Sequence, residues 1–443
     1  MQTLDSMIVA TVLPSMAQAL HTKPVELNVI ITAYLLASAV FMPTSGWAAD
    51  RFGARRLFLI AIVLFMLTSL GCALSRSLEH LVAARILQGA SGAIMVPVGR
   101  AILLRITPKD QLLQSIALLS IPALLGPTLG PPLGGFLVTY FPWYSIFLIN
   151  IPIGLLVIVL VFRFVENDVA QDRPALDWKG FGLSGIALFL LLLGLNGIGN
   201  RNISGLYVVL LFGGGLTSSL LYARHARRIT TPIIDLSLLR IQTFSVSIFA
   251  GNLCRLSAGA MPFLLAIQLQ LTFGLPPVTA GLIIFTSAAG ALAMKPLATR
   301  IINRAGFRAV LIANSVLAGS FVCACGLFTI ETPLWLVAGV LFVGGTIRSL
   351  LFTAINTIGY ADLPNGSTNR ASSFAAMGQH TALSIGVGCA ALILDSSMAW
   401  RGAQHTEQVD VMWAFFAIGA STVLASAFFA QLPRNVGEHL KKQ

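Results

Sequence analysis

Charged side chains are scarce in this sequence. Its 443 residues include 28 lysines and arginines and 16 aspartates and glutamates, so 10% of the chain is charged and 56% is apolar. A soluble domain carries about 25% charged residues, and so few charges could not cover the surface of a soluble chain of this length. The composition therefore excludes a soluble globular enzyme, a disordered chain and a fibrous protein, and it predicts a protein that crosses a membrane many times.

Cysteine is also rare, and none of the five cysteines lies in a polar segment. A disulfide framework is therefore not indicated, and Cys323 and Cys325 lack the partners and spacing of a zinc site. The sequence contains no Gly-x-x-x-x-Gly-Lys loop, the motif that cradles nucleotide phosphates. We therefore expect no metal, no cofactor and no coupling to ATP, and we expect that the protein is not an enzyme.

Long apolar runs occupy most of the chain. A spanning helix needs about 20 apolar residues, and the runs are continuous, whereas a spanning strand alternates over about 10 residues. We therefore predict an all-α membrane protein with fourteen transmembrane helices. The runs are Met7–Leu20, Leu27–Ala49, Leu57–Leu74, Leu78–Leu104, Leu112–Tyr140, Trp143–Val165, Phe181–Ile198, Leu206–Tyr222, Phe244–Leu271, Val278–Met294, Ala309–Phe328, Leu334–Phe352, Ser372–Leu394 and Met412–Gln431.

The basic residues indicate which side of the membrane is cytoplasmic. If the first helix starts inside, twenty of the 28 lysines and arginines fall in inside loops and tails and four in outside loops. Because basic residues concentrate in cytoplasmic loops, this distribution predicts that both termini are cytoplasmic. It also explains the net charge of +12 without a nucleic-acid partner.

A short motif occurs twice. Asp50, Arg51, Gly53 and Arg55 follow the second run, and the same spacing recurs at Asn303, Arg304, Gly306 and Arg308 after the tenth run. Each copy then joins the second and third helices of a six-helix half, an arrangement that parallel-repeat transporters use. We predict a six-helix half over residues 1–165, a linker with two extra transmembrane helices over 166–240, and a second six-helix half over 241–443.

Five segments resemble the major facilitator superfamily, and in particular its fourteen-helix drug:proton antiporter branch (EmrB/QacA type). The segment Leu4–Pro14 resembles the first-helix motif of that branch, and Trp143–Gly154 is also similar to it. The signature loop is matched by Gly46, Asp50, Arg51, Gly53, Arg55 and Arg56, and the fourth-helix motif by Arg85, Gln88, Gly89 and Gly92. The antiporter motif of the fifth helix is matched by Gly126, Pro127, Gly130, Pro131, Gly134 and Gly135.

The resemblance implies a major facilitator fold of two six-helix halves with two inserted central helices. It implies proton-coupled export of amphipathic drugs or metabolites across a bacterial inner membrane by alternating access, and it leaves room for a periplasmic adaptor protein. A narrow-specificity metabolite transporter and a non-transporting sensor or scaffold stay open as alternatives. The first run, Met7–Leu20, has 14 residues and is too short for a span of about 20. In the family the motif containing Asp5 lies inside the first helix, with apolar residues before it. We therefore also expect a native chain about 10 to 20 residues longer at its start.

Three titratable or charged residues are candidates for proton coupling. Asp5 is the one carboxylate that we would place inside a membrane helix of the first half, since the resemblance puts its motif in the first helix. A carboxylate shielded from water can load and release a proton. Arg85 lies too deep in the fourth run to reach the interface, so it must pair or line a wet cavity. Histidine titrates in the physiological range, so His380 is a candidate for carrying a second proton, although a core histidine is the commoner explanation.

Polar residues in the second half are candidates for a substrate cavity, or for bonds that merely join helices. Arg255 and Arg348 lie in mid-run, and with Arg85 they outnumber the single acid Asp5. If all four face one cavity, the excess positive charge favours neutral or weakly anionic amphipaths. The uncharged candidates are Asn252, Gln268, Asn356 and Gln379.

The two glycine-rich motifs have an expected mechanical role. Glycine and proline at the antiporter motif let the fifth helix bend and approach a neighbour closely, and we expect it to pack against the second half. The charged signature loop is expected to latch the cytoplasmic side and to release as the halves rock.

Overall fold

The computed structural model describes residues 1–20, 22, 26–106, 126, 129–165, 176–197, 204–229, 232–363, 368–403, 405–433 and 436. Within these residues the ordered elements are all helical and no strand occurs. The chain divides into two compact units, one of Met1–Lys23 with Val29–Ile234 and one of Pro24–Asn28 with Asp235–Gln443. The predicted all-helical fold is confirmed for these residues, and the two units are described separately below.

The first unit contains ten of the described helices. The helix that carries the antiporter motif is described over residues 129–140. The ten helices are α1 (Gln2–Ala19), α2 (Asn28–Phe41), α3 (Thr44–Phe52), α4 (Ala54–Ala73), α5 (Leu78–Ile106), α6 (129–140), α7 (Ser145–Leu148), α8 (Asn150–Phe164), α9 (Trp178–Gly197) and α10 (Gly205–Ala226).

The second unit contains six long helices and two short ones. A 3₁₀ turn covers Leu236–Arg240 and a π-helical turn covers Gln268–Thr272. The long helices are α11 (Gln242–Ile267), α12 (Pro277–Ala305), α13 (Phe307–Gly326), α14 (Leu334–Ile358), α15 (Thr368–Arg401) and α16 (Gln408–Phe429).

Eleven helices of the described part of the chain are long and apolar enough to cross a membrane. They correspond to the third and fourth predicted runs and to the sixth through the fourteenth. The second run is divided into α2 and α3 at Met42 and Pro43, because proline lacks the amide hydrogen that a continuous helix needs. The first run forms α1, which begins at Gln2 rather than Met7 and therefore includes Asp5. The fifth run is described only in its last part.

Reciprocal pairs of glycines hold three helix pairs of the second unit together. A β-carbon on Gly345 of α14 would overlap the backbone of Ser287 on α12, and one on Gly290 of α12 would overlap the backbone of α14. Such close approach maximises packing and excludes a side chain at both positions. The three pairs are Gly259 with Gly386, Gly290 with Gly345, and Gly319 with Gly419.

Candidate functional site

A buried ion pair joins α1 to α5 in the first unit. Arg85 Nη1 lies 2.5 Å from Asp5 Oδ2, and both side chains are 0% exposed. Each of these two residues, eighty positions apart in the sequence, is a candidate by itself, and the fold brings them into direct contact. Burying two charges is favourable only when they are paired and their remaining hydrogen-bonding atoms are satisfied, so the surrounding polar groups matter.

The carboxylate of Asp5 accepts hydrogen bonds from three side chains. Besides Arg85, Asn150 Nδ2 donates to Asp5 Oδ1 at 2.8 Å and Gln88 Nε2 donates to the same oxygen at 3.3 Å. Ser69 Oγ accepts from Gln88 Nε2 at 2.7 Å and from Asn150 Nδ2 at 3.3 Å. Four helices, α1, α4, α5 and α8, therefore supply one connected network centred on the carboxylate.

The guanidinium of Arg85 is held by acceptors and by aromatic faces. Nη1 also donates to Gln88 Oε1 at 2.5 Å, and Nε donates to the carbonyl of Ile30 at 3.3 Å. The ring centroid of Tyr34 lies 4.2 Å from the guanidinium carbon and that of Phe147 lies 5.8 Å away. Nη2 is buried and has no hydrogen-bond partner among the described residues. The aromatic faces stabilise the cation and exclude water from the pair.

This arrangement can couple proton binding to structure. Arg85 keeps its charge under physiological conditions, so the network is balanced only while Asp5 is ionised. A proton on Asp5 would remove the ion pair and leave a buried cation, which is costly in a membrane. Among the described residues, no three His, Cys, Asp or Glu side chains come together as a metal site.

The antiporter motif packs against the helix that carries Asp5. A β-carbon on Gly130 would lie 2.6 Å from Met7 Cβ, and one on Gly134 would lie 3.3 Å from Ile8 Cα. Gly126 meets Thr3 in the same way, whereas Pro127 lies outside the described residues. The glycine face therefore contacts α1 within the first unit; Pro131 and Gly135 of the motif are buried. The expected contact with the second half stays a prediction.

The two copies of the signature loop have the same backbone and the same bond. Gly53 and Gly306 have φ of 84° and 81°, a region that favours glycine, and each separates two helices. Arg55 Nη2 donates to the carbonyl of Phe162 near the end of α8 at 3.2 Å. Arg308 Nη2 donates to the carbonyl of Ala430 after α16 at 2.8 Å. Each loop therefore binds the carboxyl end of a later helix in its own unit, α8 in the first and α16 in the second.

The other candidates of the signature loop lie at the surface or outside the described part of the structure. Arg51 lies over the ring of Trp47 at 5.7 Å and is exposed, as is Arg56. The side chain of Asp50 and the surroundings of Gly46 lie outside the described part of the structure. The proposed latch therefore stays a prediction for these residues.

Two of the second-unit candidates are joined by a hydrogen bond. Arg255 Nη2 donates to Asn356 Oδ1 at 2.7 Å, which connects α11 to α14. Arg348 Nη2 donates to Ser287 Oγ at 3.0 Å, and Gln268 Nε2 donates to the carbonyl of Cys325 at 2.9 Å. Gln268 therefore caps the end of α13, which favours a structural role.

Within the described part of the chain, no hydrogen-bond network joins the remaining candidates. Asn252 is half-buried and lies beside Gly378 of α15, whose added β-carbon would be 3.0 Å from its amide nitrogen. Gln379 is exposed. His380 is half-buried, and its Nδ1 has no hydrogen-bond partner among the described residues.

Sequence reasoning did not identify Ser69 and Tyr34 as parts of the site, and it noted Asn150 only through the resemblance. All three are fully buried polar residues inside apolar runs. That combination is the available signal, because a polar group in a spanning helix needs a partner. The signal is weak for serine and tyrosine, which occur in such helices for packing alone.

Comparison with known proteins identifies the same family along the chain. The model of the Major Facilitator Superfamily matches residues 1–224. A relative from Escherichia coli O6:H1, named "Putative multidrug resistance protein MdtD", is 36% identical over 448 residues and covers 99% of this chain and 94% of its own length. A relative of the same name from Pectobacterium atrosepticum is 35% identical over 438 residues, covering 98% and 93% of the two chains.

Solved structures agree on the fold. The crystal structure of a D-xylose-proton symporter matches with a TM-score of 0.68 at 15% sequence identity, covering 98% of this chain and 95% of that one. At this identity the match concerns the arrangement of helices only.

Proposed function

The chain belongs to the major facilitator superfamily, and on that premise we propose that it is a proton-coupled antiporter. In this proposal it exports amphipathic drugs or metabolites across the bacterial inner membrane by alternating access, with both termini in the cytoplasm. The names of the relatives support export of more than one compound, and the excess of basic residues in the predicted inner loops supports the orientation.

The observation that carries the proposal is the buried pair of Asp5 and Arg85. A scaffold has no need of an ionisable carboxylate sealed inside a membrane helix, because such a group is expensive there. Here four helices converge on it with a matched set of donors. Protonation of Asp5 would break this balance and favour a different arrangement of the helices. Such a link between proton binding and conformation is what a coupled transporter requires.

The paired signature loops support alternating access. Arg55 and Arg308 make equivalent bonds at the carboxyl ends of α8 and α16, so each half contains its own rigid brace. Halves that are braced internally can move as bodies, which is how repeat-based transporters expose a site to either side.

The test is proton-driven transport in everted membrane vesicles. An imposed pH gradient, acidic inside, should drive uptake of several chemically different amphipaths, and each substrate should partly dissipate the gradient, read with a pH-sensitive acridine dye. We expect Asp5→Asn to abolish both signals. The matched control is Asp362→Asn, which removes an exposed carboxylate from a turn and should transport as the wild type does.

The outcomes separate the alternatives. Uptake of one compound alone from a broad panel would favour the narrow-specificity metabolite transporter. No uptake and no dissipation by any compound would favour the sensor or scaffold. Full transport by Asp5→Asn would move the proton site elsewhere, with His380 as the next residue to replace.

A further inference from the structure

Arg255 is a buried cation without an acidic partner among the described residues. It lies in the middle of α11 and is 7% exposed. Its hydrogen bond goes to a neutral amide oxygen, that of Asn356. Arg85 in the first unit has a carboxylate at ion-pair distance; Arg255 has none within the described part of the second unit. An uncompensated arginine is costly in a membrane and is a functional candidate for that reason.

Neighbouring residues of the second unit leave a space that the guanidinium of Arg255 fills. The side chain folds back along α11 over Gly251, where an added β-carbon would lie 2.6 Å from Arg255 Nη1 and 2.9 Å from Ile355 Cγ2. The ring of Phe352 lies 5.7 Å from the guanidinium carbon. Glycine at position 251 therefore leaves the space that the guanidinium occupies, and the aromatic ring contacts it from α14.

The neighbouring groups suit an anion. Asn356 is exposed, and because its oxygen accepts from Arg255 its amide nitrogen is left as a donor. A guanidinium presents two parallel N–H groups to a carboxylate, which a point charge cannot do. Arg348 on the same helix α14 bonds only the hydroxyl of Ser287 among the described residues, so a second positive charge lies along α14 without compensation.

We propose that Arg255, positioned by Gly251 and assisted by Asn356, binds the carboxylate of an anionic amphipathic substrate. The inference rests on the proposed export of amphipathic compounds and names their charge class. The apolar body of the substrate would supply affinity by burial, and the guanidinium would select the acid over its uncharged analogue.

The test compares two fluorescent probes of the same shape, pyrenebutyric acid and its primary amide, at neutral pH. Binding of each to the purified full-length protein is measured by fluorescence anisotropy. We expect the wild type to prefer the acid, and Arg255→Gln to weaken binding of the acid by about 10- to 100-fold, the range for a hydrogen bond to a charged group. Binding of the amide should change less than about 3-fold, because it makes no charged bond.

Two further variants separate positioning from charge. Gly251→Ala keeps the arginine but fills its place, and it should lower affinity for the acid while leaving the amide nearly unchanged. The control Arg300→Gln removes an exposed arginine of α12 and should alter neither affinity. Equal binding of acid and amide by the wild type, binding of neither, or an equal loss of both in Arg255→Gln would overturn the proposal.

The result is independent of proton coupling. If vesicles export the amide against the gradient but the acid is not preferred, the antiporter proposal stands and the anion site fails. If the acid binds through Arg255 but no compound moves, the anion site stands and the antiporter proposal fails.

Discussion

Replacing Asp5 with asparagine should destabilise the protein as well as stop transport. The change removes one charge of the pair, while Arg85 stays charged and fully buried. Losing one partner of a buried pair costs about 3–5 kcal/mol, and an arginine at the bilayer centre costs about 2.5–3.5 kcal/mol on insertion scales. Because Arg85 retains Gln88 Oε1 and the carbonyl of Ile30 as acceptors, we expect the lower end, about 3 kcal/mol.

The double variant Asp5→Asn/Arg85→Gln separates the two effects. It removes both charges together, and an uncharged replacement of a buried pair is often neutral in stability. The amides of Gln88 and Asn150 can still bond the new side chains. We therefore expect the double variant to be more stable than Asp5→Asn alone, with a coupling energy of about 2 kcal/mol or more. Both variants should be inactive in proton-driven transport.

The measurement is the fraction of purified protein that stays monodisperse after heating in detergent, read by size-exclusion chromatography. A loss of 3 kcal/mol changes the folded-to-unfolded ratio on the order of 100-fold, so the midpoint temperature should fall clearly for Asp5→Asn and recover in the double variant. An Asp5→Asn protein as stable as the wild type, or a double variant less stable than the single one, would show that the two side chains do not act as a buried ion pair.

Two more predictions concern the second unit. Gly345→Ala should lower the midpoint temperature of heating, because the new methyl group would overlap the backbone of α12. Overpacking of this kind costs about 1–3 kcal/mol or more. The control Gly339→Ala lies on the same helix with nothing within 4 Å of its added β-carbon, and it should have no such effect. Arg401→Gln should lower the midpoint temperature more than Glu407→Gln, because Arg401 bonds both the fully buried Asp410 and the 62% exposed Glu407. Equal midpoints for the two glycine variants would contradict the packing argument, and equal midpoints for the Arg401 and Glu407 variants would contradict the burial argument.

Helix positions were predictable because the membrane simplifies the signal. Each predicted run whose residues are described contains a helix, since continuous apolar sequence of this length has no other stable form in a bilayer. The ends were less predictable. The division between α2 and α3 depends on Pro43, and the early start of α1 depends on polar residues such as Asp5 having partners inside the fold, which no local pattern reveals.

The candidate site was predictable as single residues but not as a network. Arg85 is conspicuous because charges are rare in apolar runs, and Asp5 is a candidate because the resemblance puts its motif inside the first helix. Their contact depends on the packing of α1 against α5, and the roles of Ser69 and Asn150 depend on α4 and α8 converging at the same level. Those contacts depend on how the helices pack in three dimensions. A serine in an apolar run has too many structural explanations to be assigned to a site from the sequence.

The pairing also changes the charge argument drawn from the sequence. Asp5 was expected to offset one of three arginines, but its bond to Arg85 is local. Among the described residues, the pair in the first unit is therefore balanced, and the uncompensated charge lies at Arg255 and Arg348. If Asp5 is the proton site, protonation adds a buried positive charge to the first unit while an anion neutralises one in the second. A proton on Asp5 would then destabilise the hydrogen-bond network around Arg85. The guanidinium of Arg85 would be stabilised again only if it reached water or a new acceptor. That demand for movement is what would couple the proton to the transport cycle, and it disappears when both charges of the pair are removed.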